Sequence, residues 1–215
     1  MSPTSSQVWA ALSGVRDPEL DRPITDLGFV ASVRVAPVRV QLRLPTYFCA
    51  PNFAWLMVAD ARDAVSALPD AGPVSVVLLD HFASEEINAA AFDAAFDTDG
   101  TDPSLSSLRL IFDRKAHVAA QDRLARRLSG DLSRLSLAEA ARQAPDAAAA
   151  VVRRRARLGI SSDYALCDDT GAPLTPEALP GWLRFARTVR VSIDGNAGLC
   201  RGLLETRYGL TRAEP

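Results

Sequence analysis

The sequence contains few of the side chains on which hydrolytic and metal sites commonly depend. Its 215 residues include two histidines, His81 and His117, and three cysteines, Cys49, Cys167 and Cys200. Three scattered cysteines are too few for the disulfide framework of a secreted domain, and their odd number leaves at least one thiol unpaired. No serine nucleophile elbow is present and histidine is scarce, which disfavours general-base hydrolysis.

The sequence also lacks long apolar runs and an excess of charge of either sign. No run reaches the roughly 18 apolar residues of a membrane helix, and the N-terminus lacks the basic start and apolar centre of a signal peptide. We therefore expect a cytoplasmic protein with no membrane partner. The formal net charge is −2, which disfavours a general nucleic-acid binder as well.

One segment departs from this balance of charge. Residues 109–157 hold twelve basic and five acidic side chains. The arginines at 153–155, with a helix break at Pro145, resemble part of a DNA-binding helix-turn-helix, but the glycine expected in the turn is missing. A solvated helical face or a protein-docking surface also explains the segment, so nucleic acid is not the expected partner.

What is present is the composition of a globular protein. Hydrophobic residues make up 48% of the chain and charged residues 23%, which is enough apolar material to bury a core. The first 80 residues predict a helix at 6–13, a hairpin at 29–44 with one buried face, a helix at 51–69 and a buried apolar strand at 73–80. This order, helix, strand, strand, helix, strand, predicts a small α/β domain.

The rest of the chain has mainly helical patterns. The predicted elements are a helix at 84–96 with Ser84 as its N-cap, a break at 97–104, helices within 113–129 and 136–157, a strand at 160–167, a helix near 176–187, a strand at 188–193, and a last helix that a glycine-containing turn opens near 197. The predicted fold class is therefore α/β (α+β), with a small domain at 1–82 and a mostly helical C-terminal module with short strands at 83–215.

Cys49 is the candidate reactive residue. It comes just before Pro51 at the predicted start of the helix at 51–69, where the helix dipole and free backbone N–H groups favour a thiolate over a thiol. A nucleophile or a metal ligand would suit this position. The alternative is that Cys49 is inert and packs against Phe48 and Phe53.

The segments VRDPEL, ITDLGFV, VRVQLRLPT and PVSVVLL, with a cysteine ahead of an amphipathic helix, resemble the iron-sulfur assembly domain of SufT and PaaD proteins over residues 8–80. The resemblance implies a compact α/β unit that acts in iron-sulfur cluster maturation and assigns the reactive cysteine of that family to Cys49. The side chains that match the acidic motifs and the strand-end threonine of the family are Asp17, Glu19, Asp26 and Thr46. Here the loop from Thr46 to Cys49 is shorter than in the family, is aromatic and lacks glycine.

The sequence leaves two hypotheses for a metal site. His81 and Glu85 follow the strand at 73–80 and, with Cys49, would suit iron or zinc. Alternatively, Glu85 only suits a first helical turn and His81 only ends the strand. Cys167 and Cys200 could meet Cys49 in a three-thiolate site, although neither belongs to a CxxC pair and buried cysteine is common.

The leading hypothesis is a maturation factor and not an enzyme. It would carry iron or an iron-sulfur cluster transiently through Cys49, with zinc the less favoured metal. Its partner would be a client metalloprotein, with an oxygenase component suggested by the PaaD resemblance, and a homodimer is left open. The alternatives are an interaction scaffold or chaperone in which Cys49 is inert, and a mononuclear metal enzyme that uses Cys49, His81 and Glu85.

Overall fold

The computed structural model describes residues 2–93 and 103–209. The elements of these residues are α1 (Ser5–Leu12), β1 (Val30–Val35), β2 (Val38–Arg43), α2 (Pro51–Ser66), β3 (Val74–Leu79), α3 (Ser84–Asp93), α4 (Pro103–Ala125), α5 (Leu137–Gln143), α6 (Pro145–Leu158) and α7 (Leu179–Tyr208). The predicted α+β class is confirmed, with a small sheet near the N-terminus and mainly helices after it.

The chain forms two compact units, which are described separately. Unit 1 consists of Met1–Leu105 with Asn196–Pro215, and unit 2 consists of Ser106–Gly195. Unit 1 therefore includes the last turns of α7 besides the predicted N-terminal domain. The predicted division into two domains between residues 82 and 83 stays a prediction.

The sheet of unit 1 has the strand order β1-β2-β3. β1 and β2 form the predicted hairpin, in which Val33 lies opposite Val40 and the turn contains a cis Ala36–Pro37 bond. β2 and β3 are parallel and remain paired up to Arg43 and Leu79. A parallel pair needs a crossover connection, and α2 provides it.

Helices α1 and α2 cover one face of this sheet. The Thr4 hydroxyl accepts a hydrogen bond from the Gln7 amide, and a capping box starts α1. Pro51 occupies the first position of α2, where its missing N–H has no cost. The side chains of these elements in the core are Val8, Leu12, Val38, Val40, Leu42, Ala54, Met57, Val58, Ala61, Val65, Val76 and Leu78. The predicted buried faces of α1, the hairpin and α2 are thus confirmed.

Helix α3 closes the open edge of β3. The Asn88 side-chain amide accepts a hydrogen bond from the Leu78 N–H at 2.8 Å and donates one to the Leu78 carbonyl oxygen at 3.1 Å. One side chain thereby satisfies backbone groups that an edge strand leaves free. The helix begins at Ser84 itself and not one residue later. The predicted end of this helix at 94–96 and most of the break at 97–104 lie outside the described residues.

Unit 2 is built on α4, α5, α6 and the first turns of α7. Helix α5 ends at Gln143 and α6 begins at Pro145, which confirms the predicted break there, and Ser136 caps α5. A buried guanidinium holds the segment after α6, because Arg155 donates hydrogen bonds to the carbonyl oxygens of Ser162, Tyr164 and Ala165. Burial next to arginines lowers the pKa of His117 to about 4, so this histidine is neutral near pH 7.

Both predicted strands in this region are wrong. Residues 160–167 form no strand, and two isolated bridges, Ser136 with Tyr164 and Cys167 with Pro173, tie them in place. Residues 188–193 lie within α7, as do the glycines that were expected to form a turn. The buried side chains at 186, 193, 197 and 204 recur at helical spacing, and this face outweighs the local alternation of valine with polar residues.

The basic segment at 109–157 is partly neutralised within unit 2. Its arginines form ion pairs, including Arg127 with Asp146 at 2.7 Å and Arg123 with Asp194 at 2.9 Å. These ion pairs favour the interpretation of the basic segment as a solvated helical face rather than a nucleic-acid-binding element. Within residues 2–93 and 103–209, no helix combines the length and apolar character needed to cross a membrane.

Candidate functional site

The candidate site lies where the loops after β2 and β3 meet. These strands are parallel and end at the same edge of the sheet, so the loop of Cys49 and the loop of His81 leave side by side. The backbone joins them, because the Phe82 N–H donates a hydrogen bond to the Tyr47 carbonyl oxygen at 3.2 Å. The topology of the sheet therefore places the predicted reactive residue next to a second loop.

Cys49 is half-buried at the start of α2. Its Sγ lies 3.3 Å from Thr46 Oγ1, within hydrogen-bond distance, and it packs against the core of unit 1. No side chain caps α2 from its N-cap position, Ala50. Pro51 has no N–H, and the Phe53 N–H donates a hydrogen bond to the Ala50 carbonyl oxygen at 3.0 Å. The structure thus brings together Thr46 and Cys49, two residues that the family resemblance singled out.

His81 fixes the backbone of the Cys49 loop. Its Nδ1 accepts a hydrogen bond from the Ala83 N–H at 3.2 Å. Its Nε2 therefore carries the proton and donates to the Cys49 carbonyl oxygen at 2.7 Å. His81 is buried, so the imidazole acts as a clamp between the two loops. Because both nitrogens are bonded, a metal could bind His81 only by displacing one of these partners.

Three exposed aromatic rings surround this loop junction. They form a surface that was not predicted from the sequence. Tyr47, Phe48 and Phe82 are exposed, and Phe48 is the most exposed at 78%. The Tyr47 and Phe48 ring centroids are 5.1 Å apart, and those of Phe48 and Phe82 are 5.9 Å apart. We call this trio the aromatic cluster. Its signal in the sequence was aromatic residues in two loops that follow neighbouring strands.

The exposure of Phe48 tests part of the alternative hypothesis, in which Cys49 is inert and packs against Phe48 and Phe53. A side chain that is 78% exposed does not bury the neighbouring thiol, so Phe48 does not provide the predicted packing. Cys49 instead contacts the apolar core beneath the loop. The thiol is therefore neither sealed in the core nor fully in water.

The acidic motif of residues 17–20 forms a tight turn in unit 1. Asp17 Oδ1 accepts hydrogen bonds from the N–H groups of Glu19 at 2.9 Å and Leu20 at 2.7 Å. Burial nevertheless raises the pKa of Asp17 to about 6, and the nearby Glu19 charge adds to the increase. A buried carboxyl that costs stability when charged is typical of a functional position.

Two further residues that the sequence predicted for the site, Asp26 and Glu85, are exposed. Asp26 is exposed and accepts a hydrogen bond from the Thr25 hydroxyl at 3.3 Å. In the same motif, Gly28 has a φ of 75°, a backbone conformation that glycine adopts without steric strain. Glu85 is exposed in the first turn of α3. A functional role for Asp26 or Glu85 stays a prediction.

The end of α7 contacts unit 1 both at the turn of residues 17–20 and at the end of β2. Asn196 Nδ2 lies 3.5 Å from Glu19 Oε1, and Arg207 donates a hydrogen bond to the Leu44 carbonyl oxygen at 3.2 Å. Cys200 lies between these two contacts along the helix and, like Cys49, packs against the core of unit 1. The predicted thiol Cys200 thus belongs to unit 1, although it lies far from Cys49 along the chain.

The third cysteine is in unit 2. Cys167 is buried, and its backbone N–H donates a hydrogen bond to Gln121 Oε1 at 2.8 Å. Across the described part of the chain, no group of three or more His, Cys, Asp or Glu side chains is arranged to hold a metal ion. The predicted metal sites with Cys49, His81 and Glu85, and with all three thiols, stay predictions.

The fold and the site define a small α+β domain that presents a thiol where two parallel strands end. Residues 5–76 match the family model described as iron-sulfur cluster assembly protein. The predicted resemblance to this family is therefore confirmed for this segment, which is a third of the chain. The match includes Asp17, Thr46 and Cys49 and ends before His81 and Cys200. No curated protein and no solved structure matches the chain.

Proposed function

We propose that this protein is a cytoplasmic maturation factor that carries iron or an iron-sulfur cluster on Cys49 and delivers it to a client metalloprotein. The observation that carries the proposal is the position of Cys49, a half-buried thiol at a helix start within the segment that matches the assembly family. Thiolate sulfur is the usual protein ligand of iron-sulfur clusters.

The chemistry of the proposed step is ligand exchange and not turnover. The Cys49 thiolate binds iron, and a thiolate of the client replaces it. His81 keeps the Cys49 backbone in place through its hydrogen bond to the carbonyl oxygen, and Thr46 Oγ1 lies near enough to donate to the sulfur. A hydrogen bond to a ligating sulfur tunes how strongly it holds iron.

The aromatic cluster supports a docking role for this face. A client that accepts cargo from Cys49 would approach Phe48, the preceding residue in the chain, and its neighbours Tyr47 and Phe82. Exposed aromatic side chains supply much of the binding energy at protein interfaces. We therefore propose that the aromatic cluster binds an apolar patch of the client, and an oxygenase component is the client that the family resemblance suggests.

The test is a comparison of anaerobically purified full-length wild type, Cys49→Ser and Cys167→Ser. Iron and acid-labile sulfide are measured after reconstitution, and transfer of the cluster to an apo-ferredoxin is followed by circular dichroism. We expect wild type and Cys167→Ser to hold iron with sulfide and to transfer it, and Cys49→Ser to do neither. Wild type that stays free of iron and sulfide after reconstitution would overturn the proposal.

A second candidate is an interaction scaffold in which Cys49 is inert, and the exposed aromatic cluster is the observation that favours it. Phe48→Ala separates the two functions when client activation is measured beside cluster transfer. A scaffold loses client activation on Phe48→Ala and retains it on Cys49→Ser. A carrier loses it in both variants.

A further inference from the structure

The sheet of unit 1 has an outer face that α1 and α2 do not cover. Alternate residues of β2 lie in the core, so Arg39, Gln41 and Arg43 of this strand point to the outer face. Strand pairing places Arg34 opposite Arg39 and Ser32 opposite Gln41, and residues opposite one another in a pair point to the same face. The three strands contain no aspartate or glutamate. The outer face therefore has three arginines and no carboxylate from the strands.

Arg34 and Arg39 are exposed and differ from Arg43 in their contacts. Arg43 donates a hydrogen bond to the Gly28 carbonyl oxygen at 3.4 Å, and its guanidinium carbon lies 4.9 Å from the centroid of the Tyr208 ring. Within residues 2–93 and 103–209, the guanidinium groups of Arg34 and Arg39 form no ion pair and no hydrogen bond. Like charges directly opposite one another on antiparallel strands are destabilising. An anion bound between these two groups removes that cost.

The two arginines line a small polar cavity. Its volume is about 90 Å³, and its lining residues are Ser32, Arg34, Arg39 and Gln41. The Ser32 hydroxyl donates a hydrogen bond to Gln41 Oε1 at 2.6 Å, which orients the Gln41 amide and leaves its NH₂ group available as a donor. The lining thus offers two guanidinium groups and an amide as donors. Ligand pockets commonly measure about 300–1,000 Å³, so this cavity has room for one anionic group and not for a whole cofactor.

We propose that this cavity binds a phosphate-class oxyanion, either free phosphate or the phosphate group of a phosphate monoester. A guanidinium group binds two phosphate oxygens through parallel hydrogen bonds. A carboxylate has one charge and two oxygens, which a single arginine satisfies, whereas two arginines and an amide match a group with about two charges and three free oxygens. The cavity lies at the start of β2, at the opposite end of this strand from the Cys49 loop. The inference therefore goes beyond the proposed function and does not depend on it.

The first experiment measures the affinity of the full-length protein for inorganic phosphate by calorimetric titration at constant ionic strength. The variants are Arg34→Gln, Arg39→Gln and, as the matched control, Arg153→Gln, because Arg153 is also an exposed arginine but lies on α6 in unit 2. We expect saturable binding to wild type and Arg153→Gln. The other two variants should bind at least about tenfold more weakly, because each loses a charge-assisted contact. Wild type without saturable binding, or an Arg39→Gln protein with the affinity of wild type, would overturn the inference.

The second experiment locates the anion by NMR of the nitrogen-15-labelled protein. The side-chain amide signal of Gln41 should shift as phosphate is added to wild type and should stay in place in Arg39→Gln. Phosphate that moves other signals but not that of Gln41 contradicts binding in the cavity. Arg39→Lys keeps the charge and loses the planar fork, so it should bind phosphate more weakly than wild type; equal affinity contradicts the proposed geometry. The backbone signals of each variant show whether the fold is retained.

Two further anions distinguish the source and the class of the ligand. Phenyl phosphate that binds as tightly as inorganic phosphate indicates the phosphate group of a larger molecule, and binding of inorganic phosphate alone indicates the free ion; both results support the site. Succinate has two charges on separate carboxylates and should bind at least about tenfold more weakly. Succinate that binds as tightly as phosphate contradicts the proposal, and the two arginines then serve only as charges that keep the edge strand β1 from pairing with other chains.

Discussion

Replacement of Asp17 by asparagine tests the cost of keeping a charged carboxyl buried in unit 1. Burial raises the pKa of Asp17 from 3.8 to about 6, a difference of about 2 units. Each unit corresponds to about 1.4 kcal/mol, so the ionised side chain costs the folded state about 3 kcal/mol. Asparagine keeps an oxygen that can accept the hydrogen bonds of Glu19 and Leu20 and has no charge to bury.

Proton linkage gives the direction in which the free energy of unfolding changes with pH. Between pH 3.8 and 6 the folded protein holds the Asp17 proton more often than the unfolded chain, so the free energy of unfolding decreases as the pH rises. This loss is nearly complete at pH 7. The asparagine variant does not titrate there, so its stability relative to wild type should be about 3 kcal/mol more favourable at pH 7 than at pH 3.5. The comparison of two pH values cancels any fixed cost of burying the amide.

The assay is urea unfolding followed by fluorescence. Trp9 and Trp55 lie in unit 1 and Trp182 lies in unit 2, so a Trp182→Phe background reports on the unit that contains Asp17. The control is Asp26→Asn, because Asp26 is exposed and its replacement should change stability by less than about 0.5 kcal/mol. A stability difference for Asp17→Asn that does not vary between pH 3.5 and 7 would refute the reasoning, because the carboxyl would then have an ordinary environment.

Three further predictions concern stability, all measured by urea unfolding. Gly28→Ala should lower the free energy of unfolding by about 1–2 kcal/mol, because φ is 75° and the new Cβ would press on Leu204. Gly198→Ala should raise it by up to about 1 kcal/mol, since this glycine is exposed in a helix with nothing within 4 Å of a Cβ; a decrease would contradict the helix. Arg155→Lys should cost about 2–3 kcal/mol, because an ammonium does not reproduce the planar fork that bonds three carbonyl oxygens; an unchanged midpoint would contradict it.

The cost assigned to Asp17 agrees with the proposed function. Proteins keep unfavourable groups where activity needs them and lose stability in exchange. The cost at Asp17 therefore marks this carboxyl as a candidate functional group of unit 1.

Local sequence was sufficient for most of unit 1. The alternation of Val38, Val40 and Leu42 with polar residues predicted the hairpin, and the proline at 51 predicted where α2 begins. These signals are local, since each depends on side chains only two to four residues apart. The motifs around Asp17 and Cys49 were also readable, because their order along the chain resembles that of the family.

The same local signals misled in the C-terminal half. Residues 188–193 alternate as a strand would, but the helical face that includes Ala186, Ile193 and Ala197 is buried at intervals that only a helix supplies. Tertiary burial outweighs a short alternating run, because a continuous buried face contributes more free energy than local propensity.

The sequence by itself determined the class of fold, the resemblance of residues 5–76 to the assembly family, and Cys49 as the candidate reactive residue. Only the tertiary structure decided which groups surround that thiol. The parallel pairing of β2 and β3 brings His81 and Phe82 to the Cys49 loop, and the end of α7 reaches the end of β2 through the hydrogen bond of Arg207 to Leu44. Such neighbours come from long-range packing, and a single sequence carries no local pattern for contacts between residues that are 32 or 163 positions apart.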